Sequence, residues 1–286
     1  MAFFTNQAQL SYNGNVTNSN ITTGELVSVL SATKTAVKKE YGRNSDVTFV
    51  ISIVNAGSTP FTNLTVNDNL GEYSYTNTTV YPLSYEENSL LYYTNGVLQA
   101  TPSVTAGPPL VISGINVPAN GNATIIFDAK VNQEALLSQV SNIITQATVY
   151  GEGIANNLVV TEQINTEKVS DLSISKSLSP TTVTENGQIN YTFTIENYGN
   201  TAATATDDIV LTDTFNPALS NISVKFNNVL WTSPENYTYN ESTGEFATVS
   251  GQITVPAATY TQSVENGSWE VTPGVSTVTV SGTIRV

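Results

Sequence analysis

A chain that carries the same strand-forming stretch twice has few folds open to it. Leu30-Ser31-Ala32-Thr33-Lys34-Thr35 matches Leu172-Ser173-Ile174-Ser175-Lys176-Ser177 at an offset of 142 residues. The same offset carries Val47-Thr48-Phe49-Val50-Ile51-Ser52-Ile53-Val54-Asn55-Ala56-Gly57 onto Ile189-Asn190-Tyr191-Thr192-Phe193-Thr194-Ile195-Glu196-Asn197-Tyr198-Gly199. Both alternate, which turns one face to a core and the other to water, and both end in an Asn-x-Gly turn signal. Leu64-Thr65-Val66-Asn67-Asp68 then matches Ile209-Val210-Leu211-Thr212-Asp213 after a three-residue insertion, and Val117-Pro118 matches Val255-Pro256. Ile125, Phe127, Ala129 and Val131 share the alternation of Val278, Val280, Gly282 and Ile284. Short alternating strands every ten residues or so, punctuated by Gly, Pro and Asn, predict an all-β chain of two tandem immunoglobulin-like β-sandwiches. The spacing assigns 31–168 to the first sandwich, 169–286 to the second and 1–30 to an N-terminal extension. At roughly 140 and 120 residues, both sandwiches are long enough to bury a core. The one predicted helical stretch is Gln133–Ser138.

A second repeat is looser and more telling. Gln7-Ala8-Gln9-Leu10-Ser11-Tyr12, through Val16-Thr17-Asn18 to Glu25-Leu26, recurs as Gln146-Ala147-Thr148-Val149-Tyr150, through Ile154-Ala155-Asn156 to Glu162-Gln163-Ile164. The mid-chain copy closes the domain that begins near residue 31; the N-terminal copy has no domain before it, and no third copy follows the second domain. A sandwich without its last strand exposes core side chains and an unpaired edge, both prone to pair with another chain. The repeat therefore predicts that residues ~1–25 complete domain two of the next subunit as an extended donor strand. Its interface residues are Phe3, Phe4, Ala8, Leu10, Tyr12 (or Ser11, depending on where a one-residue gap falls), Val16 and Ile21. A further expectation is that domain one hands its tail strand to domain two within the chain, and that subunits relate in the same way. Termini order only when held, so an ordered Met1 would mean a held N-terminus.

Composition narrows the chemistry. The chain has no cysteine and no histidine, which removes disulfides, thiolate nucleophiles, Ser-His and Cys-His dyads and the usual nitrogen and sulfur zinc ligands. A net charge of -14 gives no electrostatic footprint for nucleic acid or an anionic membrane surface. No run approaches the about 18 apolar residues of a membrane span. The start, Met1-Ala2-Phe3-Phe4-Thr5-Asn6, has neither a basic nor an apolar signal region, so no secretory signal is expected in this sequence.

The run from Lys176 to Gly199, followed by Ile209-Val210-Leu211-Thr212-Asp213, resembles the conserved repeat called domain of unknown function eleven. Domain one departs from that pattern at Asn44-Ser45-Asp46. The resemblance implies tandem immunoglobulin-like modules of bacterial cell-surface proteins, most like the two-domain fibre proteins of spore appendages in anaerobic spore-forming bacteria. Those are made inside the mother cell and need no secretion. Function is accordingly expected as a structural filament subunit on a spore or cell surface, partnered by itself and by an anchoring protein. No enzyme activity, cofactor, nucleic acid or membrane insertion is expected. The alternative is an adhesive or carbohydrate-binding module that does not polymerise.

Other candidate sites compete with plainer accounts. Lys34 and Lys176 stand in the first strand of each domain, where Lys-Asn isopeptide crosslinks form in some surface sandwiches. That chemistry needs an Asn or Asp on a neighbouring strand and a protonated carboxylate in an apolar core. Asn55 or Asp68, and Asn197 or Asp213, are the candidate partners. Asp68, Asp207, Asp208 and Asp213 offer oxygen ligands for calcium, yet no Asp-x-Asp-x-Asp-Gly loop is present and a solvated strand end is the default. A glycosidase-like carboxylate pair has little to work with among so few acids. The sequons at Asn15, Asn63 and Asn236 arise readily in an Asn/Thr-rich chain. Tyr73, Tyr75, Tyr81, Tyr85, Tyr92 and Tyr93 suggest either a carbohydrate platform or half-solvated strands.

Overall fold

The computed structural model describes residues 2–285; Met1 lies outside them. The chain forms two compact units: residues up to Ala135 with Asn142–Asn165, and Leu136–Ser141 with the residues from Thr166 on. The elements are antiparallel strands, with one 3-10 turn at Ala205–Asp207. Among the described residues no helix is long and apolar enough to cross a membrane.

The N-terminal extension is a hairpin, which corrects the expected single extended strand. β1 (Ala2–Asn6) pairs with β4 (Thr22–Leu26), and β2 (Gln9–Tyr12) with β3 (Asn15–Asn18). The tip is Asn13-Gly14, with φ of 44° and 78°. Two consecutive left-handed residues make the type I′ turn whose twist matches the flanking strands, and Asn-Gly is its preferred dipeptide. Between Asn6↔Thr22 and Gln9↔Asn18 the register slips by one, with the extra residue on the return strand. The outgoing strand therefore keeps its alternation, and Phe4, Asn6, Ala8 and Leu10 share a face.

Unit one continues with β5 (Leu30–Ala36), β6 (Glu40–Tyr41), β7 (Asp46–Asn55) and β8 (Phe61–Asp68). A small ladder of β9 (Tyr73–Tyr75) and β10 (Thr78–Val80) follows, then β11 (Leu83–Tyr85), β12 (Leu91–Thr94), β13 (Val97–Leu98) and β14 (Ser103–Thr105). The long strands β15 (Leu110–Val117), β16 (Gly121–Val131), β17 (Asn142–Tyr150) and β18 (Leu158–Thr166) complete it. One sheet runs β13-β12-β16-β7-β5 and the other β14-β15-β8-β17-β18-β6. The orders β5-β7-β16-β12 and β8-β17-β18 are those of the A-B-E-D and C-F-G strands of an immunoglobulin sandwich. Inward positions of both sheets, among them Phe49, Ile51, Val66, Ile112, Ile125, Phe127 and Val149, are fully buried. Each contributes roughly 1.5–3 kcal/mol. The tail hairpin β17–β18 stays within this unit, with Ala147 opposite Asp68 and Val149 opposite Val66. That corrects the expectation that domain one hands it on.

Gln133–Ser138 is a pair of turns and not a helix. The Asn132 side chain accepts from the Glu134 N–H at 3.0 Å, an Asx turn that competes with helix initiation over so few residues.

Unit two repeats the first sheet: β19 (Leu172–Ser179), β20 (Gln188–Asn197), β28 (Gly274–Ile284), β22 (Leu219–Phe226) and β23 (Val229–Trp231), in that spatial order. Lys34 lies opposite Ile51 and Lys176 opposite Phe193, one register at the sequence offset. The second sheet is β21 (Thr212–Thr214), β25 (Glu245–Thr248) and β24 (Tyr237–Tyr239), while β26 (Thr259–Gln262) and β27 (Trp269–Thr272) form a separate ladder. By pairing, β21 corresponds to β8, yet among the described residues no strand lies where β17 and β18 flank β8.

Candidate functional site

The two units differ around one lysine. In unit one, Lys34 Nζ donates to Asp68 Oδ2 and to Thr145 Oγ1, each at 2.5 Å, and Thr145 donates to Asp68 Oδ1 at 2.9 Å. The amine lies 4.6 Å from the Phe49 ring centroid. Lys34 comes from the first sheet and Asp68 from the second, while Thr145 sits on the tail hairpin; all three side chains are buried. Burial pushes the Lys34 pKa down, and the Asp68 charge opposes that. The cluster exists because the hairpin closes over it.

In unit two, Lys176 pairs with Asp213 by the same geometry, its Nζ 4.6 Å from the Tyr191 centroid and 5.3 Å from those of Phe193 and Phe215. Among the described residues no hairpin covers the pair, and 39% of the Lys176 side chain faces solvent, against 0% for Lys34. The whole of β19 is exposed, whereas β5 buries Leu30, Lys34 and Ala36. Leu172, Ile174 and Leu178 are consequently bared on the strand that frames the pair. An open cleft of about 440 Å³, lined by Asp213, Tyr239, Glu245 and Phe246 among others, adjoins β21. Unit two thus leaves exposed, around the equivalent lysine and aspartate, a strand face whose counterpart β17–β18 help to bury in unit one.

The N-terminal hairpin has the converse surface. Residues 3–23 are exposed throughout, including Phe3 at 73%, Phe4 at 60%, Leu10 at 61%, Tyr12, Val16 and Ile21, together with Ala8. Aligning Gln7-Ala8 with Gln146-Ala147 sets Phe4 at the position of Ile143, Asn6 at Thr145, Ala8 at Ala147 and Leu10 at Val149. All four equivalents on β17 are buried. An apolar face with one polar residue thus stands bare on the hairpin, in the order that closes unit one.

Asn55 and Asn197, candidate partners of the lysines in the sequence, have another task. Asn55 Nδ2 donates to the carbonyls of Thr59 and Pro118 and its Oδ1 accepts from the Gly57 N–H. Asn197 does the same with Thr201, Pro256 and Gly199. The Asn-x-Gly signature is a loop clamp, and Asp68 and Asp213 are the groups beside the amines. The remaining acids do not converge. Asp207 accepts from the Thr204 N–H and Asp208 from Ser250. Among the described residues no three His, Cys, Asp or Glu side chains gather as a metal site. Nor do the tyrosines form one platform: Tyr92 is buried and bonded to the Asn116 backbone, and Tyr73 donates to the Glu134 carbonyl. Sequence reasoning missed Asn6 and Thr145; the Gln-Ala dipeptide that follows both was the available signal.

No family model matches the chain, and no curated protein does. Among solved structures, the chain is similar to the major pilin subunit BcpA of Bacillus cereus, at 9% identity over 94% of this chain and 73% of that one, with a TM-score of 0.37. It is also similar to the pilus backbone RrgB of Streptococcus pneumoniae, at 11% identity, 85% and 55% coverage and a TM-score of 0.34. The chain thus spans about half the length of that pilus protein. A collagen-binding domain from a Staphylococcus aureus adhesin matches 49% of this chain and 99% of its own, at 13% identity and a TM-score of 0.32. At these scores the function has to be read from the geometry of the chain itself.

Proposed function

We propose that the chain is a structural subunit of a surface filament, joined head to tail when the N-terminal hairpin of one copy completes the second sandwich of the next. One observation carries the proposal: the hairpin repeats the element that closes unit one, and unit two has the corresponding berth open. On the register of unit one, Ala8 would lie opposite Asp213 and Leu10 opposite Leu211. Burying Phe4, Leu10 and their neighbours is worth roughly 1.5–3 kcal/mol each. A single flexible strand would spend about 1–2 kcal/mol per residue on ordering; a preformed hairpin has already met most of that cost. Donor and acceptor surfaces differ, so the contact is heterologous and propagates without closing. A structural role without catalysis, on a spore or cell surface, follows the resemblance to spore-appendage fibre proteins.

Negative-stain microscopy of the full-length protein beside a variant lacking residues 2–26 tests the proposal. Filaments from the first and monomers from the second are expected. Filaments from both would remove the hairpin as the joint. A full-length protein that stays monomeric and binds glycans would favour the adhesive module instead.

A further inference from the structure

We propose that the docked hairpin becomes covalently fixed, by an isopeptide bond between Lys176 Nζ of one subunit and Cγ of Asn6 of the next. The inference rests on the donor reading above and goes further, because it assigns a reaction to the joint. In unit one, the side chain at the Asn6-equivalent position, Thr145, lies 2.5 Å from the lysine nitrogen and 2.9 Å from the aspartate. A hydrophobic hairpin face seated in the same register brings the Asn6 amide to Lys176 and Asp213, which already pair and await a third member.

Those three groups complete a reaction without any added reagent. The lysine amine, as the free base, attacks the asparagine Cγ and forms the Nζ–Cγ bond. The Cγ–Nδ2 bond breaks, and the nitrogen leaves as ammonia. The Asp213 carboxyl gives a proton to the departing nitrogen and takes one from the attacking amine, so it ends unchanged. The surroundings favour the first step: Tyr191, Phe193 and Phe215 line the amine, and the docked hairpin would exclude the water that now reaches it. Lys34, already enclosed, shows the consequence, since burial lowers its pKa. Unit one lacks the carboxamide that this ammonia-releasing step needs, because Thr145 offers a hydroxyl at that position. The proposed joint would bring lysine, aspartate and asparagine together.

The test uses full-length filaments, with Asn6→Thr and Lys176→Met beside the parent. Asn6→Thr installs the unreactive side chain of unit one on an exposed strand, so folding and docking are preserved. Parent filaments should resist boiling in detergent and, after protease digestion, yield a peptide joining Asn6 to Lys176 that is lighter by one ammonia. Both variants should still form filaments, which then dissolve to monomer on boiling. Parent filaments that dissolve to monomer without the joined peptide would overturn the crosslink and leave the donor joint standing. Absence of filaments from the parent would overturn the joint and the crosslink together.

Discussion

Replacing Lys34 by methionine removes one member of a fully buried ion pair and keeps nearly the same volume. At 2.5 Å, with an effective dielectric of about 20, the Lys34–Asp68 attraction is about 7 kcal/mol. Taking both charges out of water costs several kcal/mol per ion, so the pair as a whole is close to break-even. The two facts predict an asymmetry. Lys34→Met alone leaves the Asp68 carboxylate without its cation and should cost about 4 kcal/mol, as should Asp68→Leu alone. The double variant leaves no lone charge but still orphans the Leu70 N–H and the Thr145 hydroxyl that donate to Asp68, so it should cost about 3 kcal/mol against a sum of about 8, a coupling energy of about 5 kcal/mol. For a domain of this size each kcal/mol moves the melting temperature by roughly 3–5 °C. Calorimetry should therefore show unit one melting roughly 12–20 °C lower in each single variant and roughly 9–15 °C lower in the double, where additive losses would give roughly 24–40 °C. Both tryptophans, Trp231 and Trp269, lie in unit two, so tryptophan fluorescence should report an unchanged transition there. Additive losses in the double variant would refute the reasoning, because they would mean that packing around each side chain, and not the pair, carries the energy.

Other consequences can be measured alongside. Thr145→Asn places an amide beside Lys34 and Asp68 and should create an intrachain crosslink, seen as loss of one ammonia in the intact mass and a higher melting temperature for unit one. Burial pushes the Tyr41 phenol well above its ordinary value of 10.0; its contribution is fully present below that pH and is lost as pH rises toward the folded value. The denaturant midpoint of the parent should thus fall relative to Tyr41→Phe above about pH 10, with no such trend below it. Lys34 works in the opposite direction, since its lowered pKa lets stability rise with pH up to 10.5, but it is common to both proteins. Asn55→Ala deletes three loop-clamping bonds and should cost about 2–3 kcal/mol in unit one by the same calorimetry; Asn197→Ala should do likewise in unit two.

Much of this architecture is local, and the sequence alone determined it. The period of two in Val47–Asn55 and Ile189–Asn197 sets which side chains face the core, because successive residues of a strand point to opposite sides whatever the strand pairs with. The offset of 142 then makes the two first sheets equivalent, down to Lys34 opposite Ile51 and Lys176 opposite Phe193. The Asn13-Gly14 turn is equally local in origin, although the arm is expected from the sequence as one extended strand and its turn signal is passed over there. Three things were decided only by tertiary structure. Choosing Asp68 over Asn55 as the partner of Lys34 required knowing how two sheets stack, since Lys34 and Asp68 belong to different sheets of the sandwich. That Asn55 clamps a loop depended on Pro118, far along the chain. Most telling, Lys34 and Lys176 sit in matching local sequence, yet one is sealed and the other open. Burial is a property of what covers a residue, and the cover over Lys34 is a hairpin more than a hundred residues away in the chain.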